Sequence, residues 1–317
     1  MDKGISGILV INKPEGKTSF YVDLVCKKLL NAKKVGHLGT LDPFATGVLA
    51  IAINDSTKAI PYIRQKKKVY EFEIKFGERT DTGDKTGKVV EISDNIPTRS
   101  EIESVIPEFV GEIFQKPHIF SAIKINGKRA YDLARMGETP SISPRKITIF
   151  DLELREHKGI GDEYDETSGN SQKELMNDIN PIFRFKTTVS PGTYIRTLSE
   201  DIAKSLGTVG YTFSLKRIQD CNFFIENAIS LDVLKKTHDN ITDVLVPLEN
   251  ILDDIPVVFI SCQDEKDLLF GKRVAVSFPE KVEFCLASAK SGFLGIVEPI
   301  DGMFHLKRLL RLGFKGE

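Results

Sequence analysis

The sequence predicts an α+β fold, in which a domain built on a mixed or antiparallel sheet with flanking helices is followed by a small C-terminal β-rich module. Three observations lead to this prediction. Segments with the alternation of strands outnumber those with helical spacing, the helical segments are interleaved with the strands, and residues 256–317 divide into short strands separated by turns. The length of 317 residues fits about two domains.

The chain opens with a predicted strand, helix and strand. Residues 6–13, SGILVINK, form a short apolar run that ends in turn residues, which predicts a strand. The next segment, 17–31, has apolar residues at helical spacing and begins at Thr18 or Ser19, either of which can cap a helix. The run VLAIAIN at 48–54 predicts a buried strand by its length and its β-branched content.

An alternating segment at residues 69–77 predicts a strand with one buried face. Its aromatic and aliphatic side chains fall on one side and its charged side chains on the other. Further along, Thr98 and Glu101 have the spacing of a capping box and predict the start of a short helix. Residues 147–154 and 183–189 predict two more strands.

The remaining segments define the predicted domain organisation. Residues 194–207 carry apolar side chains at helical spacing and follow the turn SPGT, which predicts a helix. Residues 158–181 are acidic and rich in glycine and polar residues, which predicts a surface insertion. We expect one domain at residues 1–252 and a module at residues 256–317.

Composition and charge exclude several classes of protein. Hydrophobic residues make up 41% of the chain and its apolar runs are far shorter than the ~20 residues that span a bilayer, so we expect a cytoplasmic protein without membrane association. The net charge of −1 does not fit a protein that coats nucleic acid non-specifically, although its lysines and arginines are clustered. The four cysteines and five histidines have no metal-ligand spacing, so we expect neither a metal site nor a disulfide.

The segment GTLDPFATGV at residues 39–48 contains a single carboxylate, Asp42. The following proline disfavours the helical conformation at Asp42, and nearby glycines allow tight passage of the backbone. Such a loop fits both a side chain presented into a cleft and an Asx turn that only closes a connection. DTG at 81–83 is the motif of aspartic proteases, but it occurs once and lacks a preceding apolar strand, so we interpret residues 77–87 as a polar loop.

Five motifs in collinear order resemble the TruB family of bacterial tRNA pseudouridine synthases. They are INKPEGKTS at 11–19, GHLGTLDPFATGVL at 36–49, KKVYEFEIKFGERTDTGDKTG at 67–87, SAIKINGKRAYDLAR at 121–135 and VSPGTYIRTLSEDIAKSLG at 189–207. Residues 292–312 are similar to a short version of the RNA-binding PUA module of bacterial members. The resemblance covers essentially the whole chain and implies isomerisation of uridine 55 in the T-loop of tRNA.

This reaction indicates which groups the site must supply. Pseudouridine formation breaks the N1–C1′ glycosidic bond, turns the uracil and joins C5 to the same carbon, so no cofactor is expected. The reaction needs an ionised group near the anomeric carbon. The resemblance identifies Asp42 as this carboxylate and Arg196 as the cation that keeps it charged. Whether Asp42 adds to the sugar or assists elimination to a glycal-like intermediate stays open.

The resemblance also implies how the tRNA is bound. Tyr70 stacks on the flipped uracil and takes part in proton transfer, Tyr194 and Leu215 line the pocket, and His37 enters the T-loop where the base departs. Lys13 and Pro14 support the pocket from its floor. The residues expected to follow the RNA backbone are Lys66, Lys67, Lys68, Lys124, Lys128 and Arg129. Without the resemblance, we would interpret Tyr70 and Leu215 as core residues.

The segment KPHIFSA at 116–122 departs from the family pattern, which commonly has Pro-Pro-x-Tyr-Ser-Ala. His118 and Phe120 replace a proline and the tyrosine, and Phe120 lacks the hydroxyl. Three other functions are considered: a non-catalytic tRNA-folding chaperone that uses the same groove, a guide-RNA-dependent synthase, and a glycoside hydrolase. The hydrolase would need a second carboxylate that we cannot pair with Asp42. We expect a monomeric enzyme without an obligatory protein partner.

Overall fold

The computed structural model describes most of the chain. The described residues are 6–63, 67–121, 123–125, 127–138, 140–155, 182–237, 244–252, 254–275, 282–290 and 292–310. The insertion expected at residues 158–181 lies outside them. The chain divides into two compact units, of which the first comprises Met1–Asp42, Val48–Gln65 and Glu226–Glu317 and the second Pro43–Gly47 and Lys66–Ile225.

The secondary structure follows the predicted interleaving of strands and helices. The strands are β1 (Gly7–Lys13), β2 (Val35–His37), β3 (Thr46–Ile53), β4 (Lys68–Phe76), β5 (Glu78–Thr80), β6 (Val89–Ile92), β7 (Gly111–Gln115), β8 (Lys124–Ile125), β9 (Lys128–Arg129), β10 (Arg145–Leu154), β11 (Ile182–Val189), β12 (Gly210–Asp220), β13 (Phe223–Phe224), β14 (Leu245–Val246), β15 (Val257–Phe259), β16 (Cys285–Ala289), β17 (Gly292–Ile300) and β18 (Met303–Leu309). The α-helices are α1 (Ser19–Leu29), α2 (Arg99–Phe109), α3 (Ala130–Arg135), α4 (Ile195–Ser205), α5 (Leu231–Thr237) and α6 (Cys262–Leu269).

In the first unit, β1 lies between β14 and β3, and β2 pairs antiparallel with β3. Strands β1 and β3 are almost completely buried, as their apolar sequences predict. Their side chains form one core with α1 and α5, which includes Leu9, Val22, Ile51 and Leu234. The N-terminal cap of α1 is Thr18, whose hydroxyl oxygen accepts the N–H of Tyr21, while Ser19 is the first helical residue.

Residues 257–309 contain a separate sheet with the order β15-β16-β17-β18. Strands β15 and β16 are parallel and the other pairs are antiparallel. This sheet has its own core, which includes Val258, Leu268, Val297 and Phe304. The C-terminal β-rich module expected from the sequence is therefore confirmed as a sheet, while its boundary at residue 252 stays a prediction.

The sheet of the second unit has the order β12-β4-β11-β10-β7, and the first two residues of β3 pair parallel with β12. Its other pairs are antiparallel, so the sheet is mixed, as predicted. The buried face predicted for residues 69–77 is confirmed, since Tyr70, Phe72, Ile74 and Phe76 are all buried. Helix α4 packs against β12, and Thr212 donates a hydrogen bond to Ser199 across this contact (2.9 Å).

Gly47 is required by the pairing of β3 with β12. It lies opposite Arg217 at a φ of 102°, which is unfavourable for residues with a side chain. A Cβ atom at this position would overlap the carbonyl oxygen of Arg217. A glycine at position 47 therefore lets the strand that follows the Asp42 loop approach β12 closely.

No helix in the described residues is long and apolar enough to cross a membrane.

Candidate active site

Asp42 ends the loop that follows β2, and the residues around it are anchored. The backbone N–H of Leu41 donates to the Ser19 hydroxyl (2.9 Å), which in turn donates to the Leu41 carbonyl (3.1 Å). Ser19 and Leu41 are buried, Asp42 is half-buried, and Phe44 is buried two residues later. The first turn of α1 therefore fixes the backbone immediately before the carboxylate, whereas a free connecting turn would leave it mobile.

His37 ends β2 and is held by two polar side chains in the same unit. Its Nδ1 lies 2.7 Å from Asp23 Oδ2, and its Nε2 lies 2.9 Å from Thr40 Oγ1. Asp23 is buried on α1, so the imidazole is fixed between the helix and the loop that leads to Asp42. This arrangement orients the ring, and the entry of His37 into the T-loop stays a prediction.

Lys13 is a completely buried lysine at the end of β1. Its ammonium group donates to the carbonyl of Pro14 (2.9 Å) and to the carbonyl of Lys17 (2.6 Å). These bonds close the turn between β1 and α1, and Ser19 is the first residue of α1. The prediction that Lys13 and Pro14 support the pocket from its floor stays a prediction.

Arg196 lies in the first turn of α4 and is 4% exposed. Its Nη1 donates to the Thr82 carbonyl (2.9 Å), and its Nη2 donates to the Phe120 carbonyl (2.9 Å). Its Nη1 also lies 3.5 Å from Asp84 Oδ2 in a buried ion pair. Two loops thus fix the guanidinium from different sides. The pairing of Arg196 with Asp42 stays a prediction.

Asp84 is one of two residues near the start of α4 that the sequence analysis did not identify. It lies in the loop that we interpreted as polar, yet it is 5% exposed. Its Oδ1 accepts bonds from the Thr82 hydroxyl (3.0 Å) and from the backbone N–H and hydroxyl of Thr86. Its other carboxylate oxygen faces Arg196, so the loop folds around a buried carboxylate. The spacing TDTGDKT, with threonines two residues on either side of Asp84, was the available signal.

Tyr194 precedes α4 and is tied to the end of β7. Its backbone N–H donates to Gln115 Oε1 (2.7 Å), and its carbonyl accepts from Gln115 Nε2 (3.0 Å). Gln115 is buried, so this pair of bonds fixes the backbone directly before Arg196. No local pattern around Gln115 predicts this role.

Tyr70 and Leu215 lie on neighbouring strands of the second unit. Tyr70 on β4 is opposite Arg217, and Leu215 on β12 is opposite Phe72. Residues directly opposite in antiparallel strands point to the same face, so Tyr70 and Leu215 are diagonal neighbours on one face of the sheet. Both are 7% exposed. The structure therefore brings together the two residues expected to hold the base.

The placement of Lys68 contradicts the prediction that it contacts the RNA backbone. It is 7% exposed, and its ammonium group lies 3.3 Å from Asp220 Oδ1. Arg217, which is also buried, binds the same carboxylate with its Nη2 at 3.2 Å. The charge of Lys68 therefore serves to compensate a buried aspartate within the sheet.

The other predicted phosphate contacts are placed as follows. Lys67, Lys128 and Arg129 are exposed. Lys67 Nζ lies 4.2 Å from the centre of the Phe150 ring, where it makes a cation–π contact. Lys66 lies outside the described residues, as does the side chain of Lys124. Within the described part of the chain, no three His, Cys, Asp or Glu side chains form a group that could hold a metal ion.

Within each unit, the predicted residues gather around a few backbone positions. In the first unit, Lys13, Ser19 and His37 fix the turn and loop that lead to Asp42. In the second unit, Tyr194 and Arg196 occupy the start of α4, and Tyr70 and Leu215 occupy one sheet face.

Known proteins resemble this chain over nearly its whole length. The profile "TruB family pseudouridylate synthase (N terminal domain)" matches residues 27–195. A tRNA pseudouridine synthase B of Rickettsia bellii is 36% identical over 305 residues, covering 96% of this chain and 98% of the relative. The protein of the same name from Aquifex aeolicus is 36% identical over 306 residues, covering 96% of this chain and all of the relative.

A solved structure shares the fold. A chain from a crystal structure of a Cbf5-Nop10-Gar1 complex has a TM-score of 0.67 and 20% identity, covering 96% of this chain and 84% of that chain. This likeness shows the shared fold alone, whereas the profile matches more than half of the chain. Because two relatives that match over nearly their full length are also more than 30% identical, the chain belongs to the TruB family of pseudouridylate synthases.

Proposed function

We propose that the protein isomerises uridine 55 in the T-loop of tRNA to pseudouridine, with Asp42 as the carboxylate at the sugar. The observation that carries this proposal is the match over 96% of the chain to enzymes named tRNA pseudouridine synthase B. The anchored loop of Asp42 supports it, because chemistry at a single carbon needs a carboxylate at a fixed position.

The reaction requires a group that stabilises the positive charge developing at C1′ of the target nucleotide. Breaking the N1–C1′ bond leaves electron demand at C1′, which the Asp42 carboxylate either stabilises or relieves by adding to the sugar. The uracil then turns and C5 bonds to C1′, the proton on C5 leaves to solvent, and N1 takes up a proton in its place. Every atom of the nucleotide except this exchanged proton stays in the product, so the balance of atoms and electrons needs no second reactant.

The base must leave the folded T-loop before it can react. Flipping costs a few kcal/mol, and stacking on an aromatic ring recovers about 1–3 kcal/mol. Tyr70 supplies this ring, and its diagonal neighbour Leu215 supplies an apolar contact on the same face. His37, fixed by Asp23 and Thr40, takes the position that the base vacates.

Arg196 is the cation proposed to stabilise the charged form of Asp42. A buried guanidinium with bonds to two loop carbonyls has little freedom to reorient, so its charge acts in a fixed direction. The exposed Lys67, Lys128 and Arg129 would follow the phosphates and fix the register of the tRNA. The C-terminal sheet is proposed to act as a PUA-like RNA-binding module, and the protein to work in the cytoplasm as a monomer without a protein partner.

The direct test is tritium release from C5-labelled uridine in an unmodified tRNA transcript, with no added cofactor. The wild type should release tritium, and Asp42→Asn should bind the transcript normally but release at least ~100-fold more slowly. If Asp42→Asn loses both tRNA binding and tritium release, Asp42 has a structural role. If the wild type binds tightly and releases nothing, the protein is instead the non-catalytic tRNA chaperone.

A further inference from the structure

The side chain of His118 lies between the two loops that hold Arg196. His118 stands where the family commonly has a proline, and its side chain is 11% exposed. Its own loop supplies the Phe120 carbonyl, which accepts from Arg196 Nη2 (2.9 Å). The other loop supplies the Thr82 carbonyl and Asp84. A buried polar side chain at this position affects the backbone that orients Arg196.

Toward its own loop, His118 acts as a hydrogen-bond acceptor. The backbone N–H of Phe120 donates to His118 Nδ1 (3.2 Å), and the His118 and Phe120 rings stack with their centres 5.8 Å apart and their planes 24° apart. Because Nδ1 accepts this bond, it carries no proton, and the proton of the neutral ring is on Nε2. Nε2 lies 3.8 Å from Glu200 Oε1 on α4. The imidazole thereby fixes the backbone at the N–H of Phe120, and the carbonyl of the same residue accepts from Arg196.

Toward the second loop, His118 packs against Gly83. A Cβ atom at Gly83 would lie 3.1 Å from Glu200 Oε1 and 3.3 Å from His118 Nε2. Gly83 also has a φ of 69°, which favours glycine. The residues on either side of Gly83 both bind Arg196, so the second loop rests against the same imidazole.

Burial and the charge of Arg196 keep the imidazole neutral. Burial and the nearby Arg196 lower the pKa of His118 to about 4, against the opposing effect of Asp84 and Asp81. Protonation would place a hydrogen on Nδ1 and remove the acceptor for the Phe120 N–H. At neutral pH the ring is therefore in the form that the observed hydrogen bond requires.

We propose that His118 is a positioning residue, whose neutral imidazole holds the Phe120 carbonyl and the Gly83 loop in place and so fixes the orientation of Arg196. The inference rests on the proposed function, in which Arg196 stabilises the charged form of Asp42. Among the described residues, His118 lies against Phe120 and Gly83, so it acts on Arg196 through the two loops that hold the guanidinium. Its effect should therefore fall on the rate of the chemical step and leave tRNA affinity unchanged.

Two substitutions separate this role from simple packing. His118→Leu keeps most of the volume of the ring and removes the acceptor. His118→Asn is smaller but restores an oxygen that can accept the N–H two residues later, as in an Asx turn. The single-turnover rate of tritium release should fall about tenfold in His118→Leu, the effect of one lost hydrogen bond, and return to within about threefold in His118→Asn. The Kd for tRNA should stay within twofold in both.

A second measurement tests positioning without using activity. The Nε–H resonance of Arg196, assigned by its loss in Arg196→Lys, should shift or broaden in a ¹⁵N spectrum of His118→Leu and return in His118→Asn. An unchanged rate and resonance in His118→Leu, or equal losses in both variants, would overturn the proposal. A wild-type enzyme without activity would overturn the proposed function alone, and the resonance would still decide the role of His118.

Discussion

The Arg196 guanidinium and the Asp84 carboxylate form an ion pair at 3.5 Å, although the two residues are 112 positions apart in the sequence. Both side chains are at most 7% exposed. Taking two charges out of water is costly, and the cost is recovered only when further hydrogen bonds satisfy both groups. Thr82, Thr86 and Phe120 supply these bonds.

Removing the carboxylate of this pair should destabilise the protein strongly. We expect Asp84→Ala to lower the free energy of unfolding by about 3–5 kcal/mol, because it removes one carboxylate of a buried ion pair and the hydrogen bonds that this carboxylate accepts. Urea denaturation measures this value. The matched control is Asp81→Ala, three residues earlier in the same loop, which should lower the free energy of unfolding by less. Equal losses of unfolding free energy in the two variants would contradict the prediction.

Gly47→Ala should be poorly tolerated. The added methyl group would overlap the Arg217 carbonyl and the residue would keep an unfavourable φ, so we expect a loss of more than about 2 kcal/mol. Gly16→Ala is the control, because Gly16 also has a positive φ of 74° but has open space around it. Its cost should stay near the ~1–2 kcal/mol of the left-handed conformation alone. Thermal denaturation of both variants separates the cost of the steric overlap from the cost of the left-handed conformation.

Lys128→Glu should weaken tRNA binding in a salt-dependent way. If Lys128 contacts a phosphate, its loss should reduce the slope of log K against log salt concentration by about 1. Lys235→Glu reverses a charge on α5 that is also exposed, and it should leave the slope unchanged. Equal slopes for the wild type and Lys128→Glu would remove this residue from the RNA contact surface.

Glu200→Gln should change how stability depends on pH. Burial raises the pKa of Glu200 to about 7 from its ordinary value of 4.5, against the opposing charge of Arg79. Between pH 4.5 and 7 the folded wild type holds a proton that the unfolded chain has lost, so its stability falls as the pH rises. The glutamine has no such proton, and the variant should gain stability relative to the wild type over this window. Parallel curves of unfolding free energy against pH would disprove this.

Local patterns in the sequence predicted most of the fold. Both hydrogen bonds of the capping box at Thr98 and Glu101 are formed. This motif was predictable because it depends only on residues three positions apart. Strand β12 was not predicted. Its pairing with β4 shifts register twice, and it contains Lys216 and Arg217, which break the expected alternation. The buried Arg217 is stabilised by Asp220, which only the folded sheet reveals.

The site was predictable only in part. The resemblance to the family identified Asp42, Tyr70 and Arg196, but the contacts that hold them depend on residues distant in sequence. Gln115 fixes Tyr194 from 79 positions away. Lys68 belongs to a basic run that suggested an RNA contact, yet its position in β4 turns it toward Asp220, 152 positions further on. Sequence spacing carries no information about such pairs.

The pairing of β1 with β14 has a consequence for the synthesis of the protein. Ile8 pairs with Val246, so 238 positions separate the partners. At the translation rate of about 5–20 residues per second, β1 would wait roughly 12–48 seconds on the ribosome before β14 is made. During this time the edge of the apolar strand β1 that pairs with β14 stays unpaired, which favours aggregation of the nascent chain. The completion of the first unit is therefore tied to late steps of translation, and rapid production of the protein should need a chaperone that shields its N-terminal strand.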